Sequence, residues 1–208
     1  RRQRQMCIRD SYSRGTKLPV EGIDSPRDVV RYTKRLGLHG IAITDHKVID
    51  GWKEAKREAK KLGIIFIPGQ EVETKDGHLI ALGINDKIDN WLGVEETVER
   101  IHENAGIAIA PHPYDIKGDG IRDKIKHVDA VEVFNSLNID RLSNRFAKYK
   151  STRLRKPLIA GSDAHTKEMI GMSINFIDAC DSDDVIKAIK NKKVKYICLL
   201  YTSPSPRD

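Results

Sequence analysis

Short apolar runs recur along this chain, and most are followed by a lysine- and glutamate-rich segment whose apolar residues fall at helical spacing. That alternation constrains the fold more than any other feature. A run such as His39-Gly-Ile-Ala-Ile-Thr-Asp-His46 is too short for a buried helix. Its near-continuous apolar character suits a strand covered on both faces. Strands are expected over 39–46, 64–73, 78–84, 107–112, 130–135, 157–163 and 172–177. Helices are expected over 25–36, 50–62, 93–104, 140–153 and 182–192, with a further helical segment at 121–127. Ser25 reads as an N-cap with Pro26 at the first helical position, and Gly37 and Gly63 as stops. Repeated βα units predict a parallel sheet with helices outside it, wound as a barrel or as an open doubly wound sheet. No glycine-rich phosphate loop follows any strand, which favours the barrel.

At 208 residues the chain can bury a core as one domain. It has no apolar run of membrane-spanning length and no secretory h-region, and its three cysteines lack paired spacing. A cytoplasmic globular protein with no membrane partner is therefore expected, without a disulfide framework or a thiolate zinc site. Both ends break the pattern. Met6 to Ser11 can be encoded by bases whose complement, in a shifted frame, encodes Cys-Leu-Leu-Tyr-Thr, the residues at 198–202. Opposite ends of a natural gene should not encode each other's complement. Residues 1–11 and 198–208 are accordingly expected to be translated sequencing adaptor, outside a single domain at 12–197. Arg1, Arg2, Arg4 and Arg9 supply part of the +7 net charge, so the basic balance is weak support for nucleic acid.

The chemistry sits where strands end. His46 closes one run, Glu71 follows Pro-Gly-Gln, His112 follows Ile-Ala-Ile-Ala-Pro, and Asp163 and His165 follow Ile-Ala-Gly-Ser. In a parallel βα barrel that rim carries the active site. Asp163 and His165, two residues apart, share a face if the backbone is extended. His78 opens the strand after Glu71 and can reach the same point. Four imidazoles and two carboxylates form a nitrogen and oxygen donor set suited to Zn²⁺, Mn²⁺ or Fe²⁺.

Five motifs arrive in one order: Thr44-Asp45-His46, Pro68-Gly69-Gln70-Glu71, Gly77-His78, His112-Pro113 and Gly161-Ser162-Asp163-Ala164-His165. In these the chain resembles a PHP domain, the polymerase and histidinol phosphatase family, over nearly all of residues 13–192. The resemblance implies a distorted seven-stranded βα barrel holding two or three divalent ions at its mouth, and hydrolysis of phosphoesters by a cation-activated water. It implies that Glu71 bridges two ions, that His78 and His112 serve one and Asp163 the other, and that His46 and His165 serve a third. The family opens with Asp-x-His-x-His before Ser-x-Gly. Ser13-Arg14-Gly15 fits the latter, and counting back puts the two histidines at positions 7 and 9, which hold Cys7 and Arg9. A damaged first strand and impaired activity of the chain as it stands are therefore expected. Arg14 stands where many members carry a ligand for the third ion, and it could instead grip a phosphate.

Other polar residues receive plainer readings. His39, His102 and His127 are expected to be surface or packing residues, Asp45 to orient a ligand, and Glu73 not to ligate. Lys47, next to His46, is a candidate contact for an anionic substrate. No side-chain nucleophile is expected, since no Gly-x-Ser-x-Gly elbow exists and Ser162 reads as a turn residue. The expected substrate is a phosphorylated small molecule, a nucleotide or the end of a short nucleic acid. Two alternatives stand beside it: a non-catalytic barrel acting as a subunit, and a metal-dependent hydrolase of C–N or C–O bonds.

Overall fold

Nine strands among the described residues form one sheet, in the order β7-β6-β5-β4-β3-β2-β1-β8-β9. The structure is a computed structural model that describes residues 3–10, 24–138 and 140–198. The strands are β1 (Gln3–Asp10), β2 (Gly40–His46), β3 (Ile65–Thr74), β4 (Gly77–Leu82), β5 (Ile107–Ala110), β6 (Ala130–Asn135), β7 (Leu158–Gly161), β8 (Ser173–Asp178) and β9 (Val194–Cys198). The helices are α1 (Pro26–Arg35), α2 (Trp52–Leu62), α3 (Val94–Glu103), α4 (Arg141–Arg153) and α5 (Ser182–Lys190). Local chemistry fixes their ends. Ser25 Oγ accepts from the Asp28 N–H at 3.1 Å, Asp140 Oδ1 from Ser143 at 2.6 Å, and Asp181 Oδ1 from Asp184 at 2.8 Å. Gly63 closes α2 in the left-handed region, at φ 65°. The expected helix at 121–127 is a short 3₁₀ turn over Arg122–Lys126.

The sheet is mixed rather than parallel. β1–β2, β2–β3, β5–β6 and β6–β7 are parallel, but β3–β4, β4–β5, β1–β8 and β8–β9 are antiparallel. Only two residues separate β3 from β4, far fewer than a parallel crossover needs, so the chain must reverse there. The strand count exceeds the expected seven at the two ends of the chain. The N-terminal segment set aside as adaptor forms β1, between β2 and β8, where backbone pairing asks little of side-chain identity. β9 adds a further strand, antiparallel to β8.

The two-residue period of each strand sorts side chains into layers. Inside the barrel lie Met6, Ala42, Ile67, Ile80, Leu82, Ile107, Ile109, Ala130 and Ile159, with α5 closing one end through Val185, Ala188 and Ile189. Ile41 and Ile43 face outward with Val29, Val30, Ala55 and Ala59 of α1 and α2. Leu79, Ala81, Ala108 and Val131 pack outward with Val94, Val98 and Ile101 of α3. Cys7 belongs to the outer layer, so the position at which a ligand was counted back faces the helices rather than the barrel interior. No helix among the described residues is long and apolar enough to cross a membrane.

The barrel is nearly closed, and a side chain helps to close it. β7 and β8 make no backbone ladder; instead buried Asn175 of β8 acts as a peptide group. Its Oδ1 accepts from the Ala160 N–H at 3.0 Å, and its Nδ2 donates to the Ala160 carbonyl at 2.7 Å. Asn175→Leu should strand both buried backbone groups, at about 1–3 kcal/mol each. A loss of roughly 2–5 kcal/mol in urea unfolding is expected, and an unchanged midpoint would assign closure to other contacts.

Candidate metal centre

The layering that builds the core also builds the site. His46 shares the inner face of β2 with Ala42, Glu71 that of β3 with Ile67, and His78 that of β4 with Ile80. His46 and Glu71 are register partners across a parallel pair. His78 lies at the start of its strand rather than the end, yet reaches the same rim because β4 runs antiparallel to β3. His112 follows β5, and Asp163 and His165 follow β7. All six line one cleft of about 400 Å³, together with Lys47, Glu73, Asp115, Ile116, Lys117, Asp119, Leu137 and Asn138.

Glu71 is the hub. Its Oε2 lies 3.0 Å from His46 Nε2, and its Oε1 lies 2.9 Å from His78 Nδ1 and 3.6 Å from His112 Nε2. The three rings meet edge to face, with centroids 5.4 Å apart for His46–His78 and 5.6 Å for His78–His112. One donor atom each from His46, Glu71 and His78 lies within 4.8 Å of the others, a spacing that ligands of one ion can share. Burial alone would push the Glu71 carboxyl up. The charge of His46 and hydrogen bonds from His112, His46 and His78 outweigh it and hold the group well below the usual carboxylate range. Burial would likewise lower His112, but the close approach of the Glu71 carboxylate and the charges of Asp163 and Glu132 raise it to about 9. Buried His112 Nδ1 has no hydrogen-bond partner among the described residues. A buried carboxylate ringed by imidazole nitrogens is a donor set that fits a divalent cation.

His112 and Asp163 are not extended. Their φ values are 27° and 47°, in the left-handed region that non-glycine residues avoid. The extended backbone assumed for Asp163 and His165 is therefore corrected. Asp163 turns back just after β7, and His165 Nδ1 lies 2.9 Å from the Asp163 carbonyl oxygen.

The remaining candidates fall elsewhere. Lys47 lines the cleft but binds Glu73 at 2.8 Å, so neither is free at the rim. Arg14 lies outside the described residues. Asp45 is buried on the outward side of β2 against Gly51, facing α2 rather than the cleft. His102 pairs with Asp129 at 2.7 Å and His127 with Glu95 at 3.1 Å, as surface residues do. The sequence reading passed over Glu132 and Asn135 on β6. Glu132 Oε2 accepts from the His112 backbone N–H at 3.0 Å and from Asn135 Nδ2 at 2.9 Å. Asn135 Nδ2 also donates to Asp163 Oδ2 at 3.1 Å. Burial pushes the Glu132 carboxyl up to about 7. The signal was available: Ala-Val-Glu-Val-Phe is an apolar strand with one charge on its inner face.

A barrel with a histidine and carboxylate centre at its mouth defines a class of metal-binding proteins, and comparisons narrow it. A family model described as PHP-associated matches residues 141–194. Over 132 residues the chain is 38% identical to protein MJ1587 of Methanocaldococcus jannaschii, covering 62% of this chain and 77% of that one. Its fold is similar to a two-domain protein from Bacteroides vulgatus containing a predicted PHP-like metal-dependent phosphoesterase, with TM-score 0.77 and 16% identity. That match covers 95% of this chain and 65% of the other. An amidohydrolase from Chromobacterium violaceum, solved with sulfate and no metal, gives TM-score 0.66 and 16% identity over 94% of this chain and 98% of that one. The chain belongs to the PHP family.

Ligation of a cation by His112 would require displacing the proton that it holds below pH 9 or so. For one proton released, apparent affinity for Mn²⁺ or Zn²⁺ should climb about tenfold per unit between pH 6 and 8. Competition with a chelating dye measures it; a flat profile would mean that His112 keeps its proton.

Proposed function

We propose that this fold, with its Asp-x-His-x-His first strand intact, hydrolyses phosphoesters with divalent cations held at the barrel mouth, and that the chain as it stands, with Cys7 and Arg9 at the two histidine positions, does so weakly. The observation that carries the reading is the gathering of three imidazoles on the two oxygens of one buried carboxylate, with Asp163 and His165 in the same cleft. Glu71 would hold cations together with the imidazoles around it, its Oε1 lying nearest His78 and His112 and its Oε2 nearest His46. His78 and His112 would hold one cation with Glu71, Asp163 would serve a second, and His46 and His165 would complete the set. Zn²⁺, Mn²⁺ and Fe²⁺ suit these donors. When bound, such ions polarise a phosphoryl oxygen and lower the pKa of coordinated water towards neutrality.

The chain's own residues supply position and exclusion. No serine in the cleft is offered as a nucleophile: Ser162 is buried, with Cys7 Sγ 3.2 Å from its Oγ. Ile116 and Leu137 give the cleft an apolar flank for the organic part of an ester. Lys47 is a rim cation that an arriving phosphate can take from Glu73. Likeness to an amidohydrolase keeps C–N bond hydrolysis as a second reading.

Phosphate release from a panel of phosphomonoesters and short oligonucleotides, run beside amide substrates with added Mn²⁺ or Zn²⁺ on a version with the Asp-x-His-x-His strand restored, tests the proposal. Cation chelation should abolish release. Asp163→Ala and His112→Ala should each lower it by roughly a thousandfold, matching the several kcal/mol that a cation contributes to the transition state. Amide hydrolysis alone, or phosphate release unaltered in both variants, would overturn it.

A further inference from the structure

Two residues beneath the cleft contact its rim without lining it. Glu132 is buried on β6, and its Oε2 accepts the His112 backbone N–H at 3.0 Å. Asn135 Nδ2 donates both to that oxygen, at 2.9 Å, and to Asp163 Oδ2, at 3.1 Å. One amide group thus ties together the two residues whose left-handed backbones turn them back from strands β5 and β7. Such conformations persist only where the surroundings over-determine them. The fold makes room for the arrangement. A Cβ on Gly161 would fall 1.4 Å from Glu132 Oε1, so only glycine at that position of β7 lets the carboxylate lie there. Neither Glu132 nor Asn135 is in the cleft lining.

We propose that Glu132 and Asn135 are positioning residues, a buried brace that fixes the His112 backbone and the Asp163 carboxylate in the geometry a cation requires. The inference rests on the cleft being a metal centre. The brace works through hydrogen bonds rather than through charge at the ion: one oxygen accepts from two donors, and one amide spans two carboxylates. Groups of this kind around metal ligands are worth roughly 10- to 100-fold in metal affinity.

Co²⁺ binding followed by visible absorption, with thermal melting of the metal-free protein, tests it. Glu132→Gln keeps an acceptor in place and should bind Co²⁺ within about threefold of the parent, with the same absorption band. Asn135→Asp keeps the shape but replaces the bridging donor by an acceptor. It should weaken Co²⁺ roughly 10- to 100-fold and shift the band. If Asn135→Asp does not fold, Glu132→Leu, which removes the acceptor without placing charge between two carboxylates, should give the same loss. Parent-like affinity and band in the folded donor or acceptor variant would overturn the brace. So would a Glu132→Gln protein as impaired as Asn135→Asp, since charge would then be what matters. A parent protein that takes up no Co²⁺ would instead overturn the metal centre itself, and the brace with it.

Discussion

A carboxylate removed from water is among the most costly groups a fold can hold unless donors or cations surround it. Glu71 is 1% exposed, and it sits in the middle of a strand at the middle of the sheet. Much of the architecture at the rim can be understood as its compensation. β2 must pair in register to set His46 beside it, and β4 must reverse at once to bring His78 to the same height. His112 approaches from the next strand over and completes the ring. Remove these partners and the carboxylate would have to take a proton or pull its strand towards water.

The cost of that arrangement reappears in the backbone. β5 and β7 are each four residues long, so the chain leaves the sheet early and must turn sharply to return a side chain to the cleft. Both turns use the left-handed region at residues other than glycine, His112 and Asp163. Cross-links from Glu132 and Asn135 lie directly beneath them. Strain at the rim and a polar network below it are thus two aspects of one solution, in which the rigid strands of the barrel hold groups that loops alone would leave loose.

Much of this was legible in the sequence, for a definite reason. The strands from 40 to 161 carry residues buried on both faces, and an apolar run ending in His, Glu or Asp marks both the strand and the polar rim. Glu132 was passed over because its Val-Glu-Val setting is apolar, although that setting is what betrays a buried charge with partners. Strand direction was less legible. Period-2 patterning gives a face but no polarity, and only the two-residue link before Gly77 forces β4 to reverse. β1 was expected as a damaged strand, yet it pairs on both sides, because its place in the sheet is held by backbone pairing and by Met6 filling the inner core, neither of which needs a recognisable motif. The count that put ligands at 7 and 9 used spacing alone, and the pleat turns Cys7 to the outer layer.

The charge lining the cleft bears on the order of events there. Among the described residues, Glu71, Glu73, Asp115, Asp119 and Asp163 face it with only Lys47 and Lys117 in opposition, and Lys47 is already paired with Glu73. A phosphoester dianion entering that surface would meet net negative charge in a partly desolvated space, where repulsion is far stronger than in bulk water. His112 lends its charge to Glu71 rather than to the opening. On the proposed reading, cations therefore do two jobs. They supply the chemistry, and they reverse the sign of the cleft, so that cation binding precedes and permits substrate binding. An acidic rim then becomes a means of excluding anions from a site that is not yet loaded.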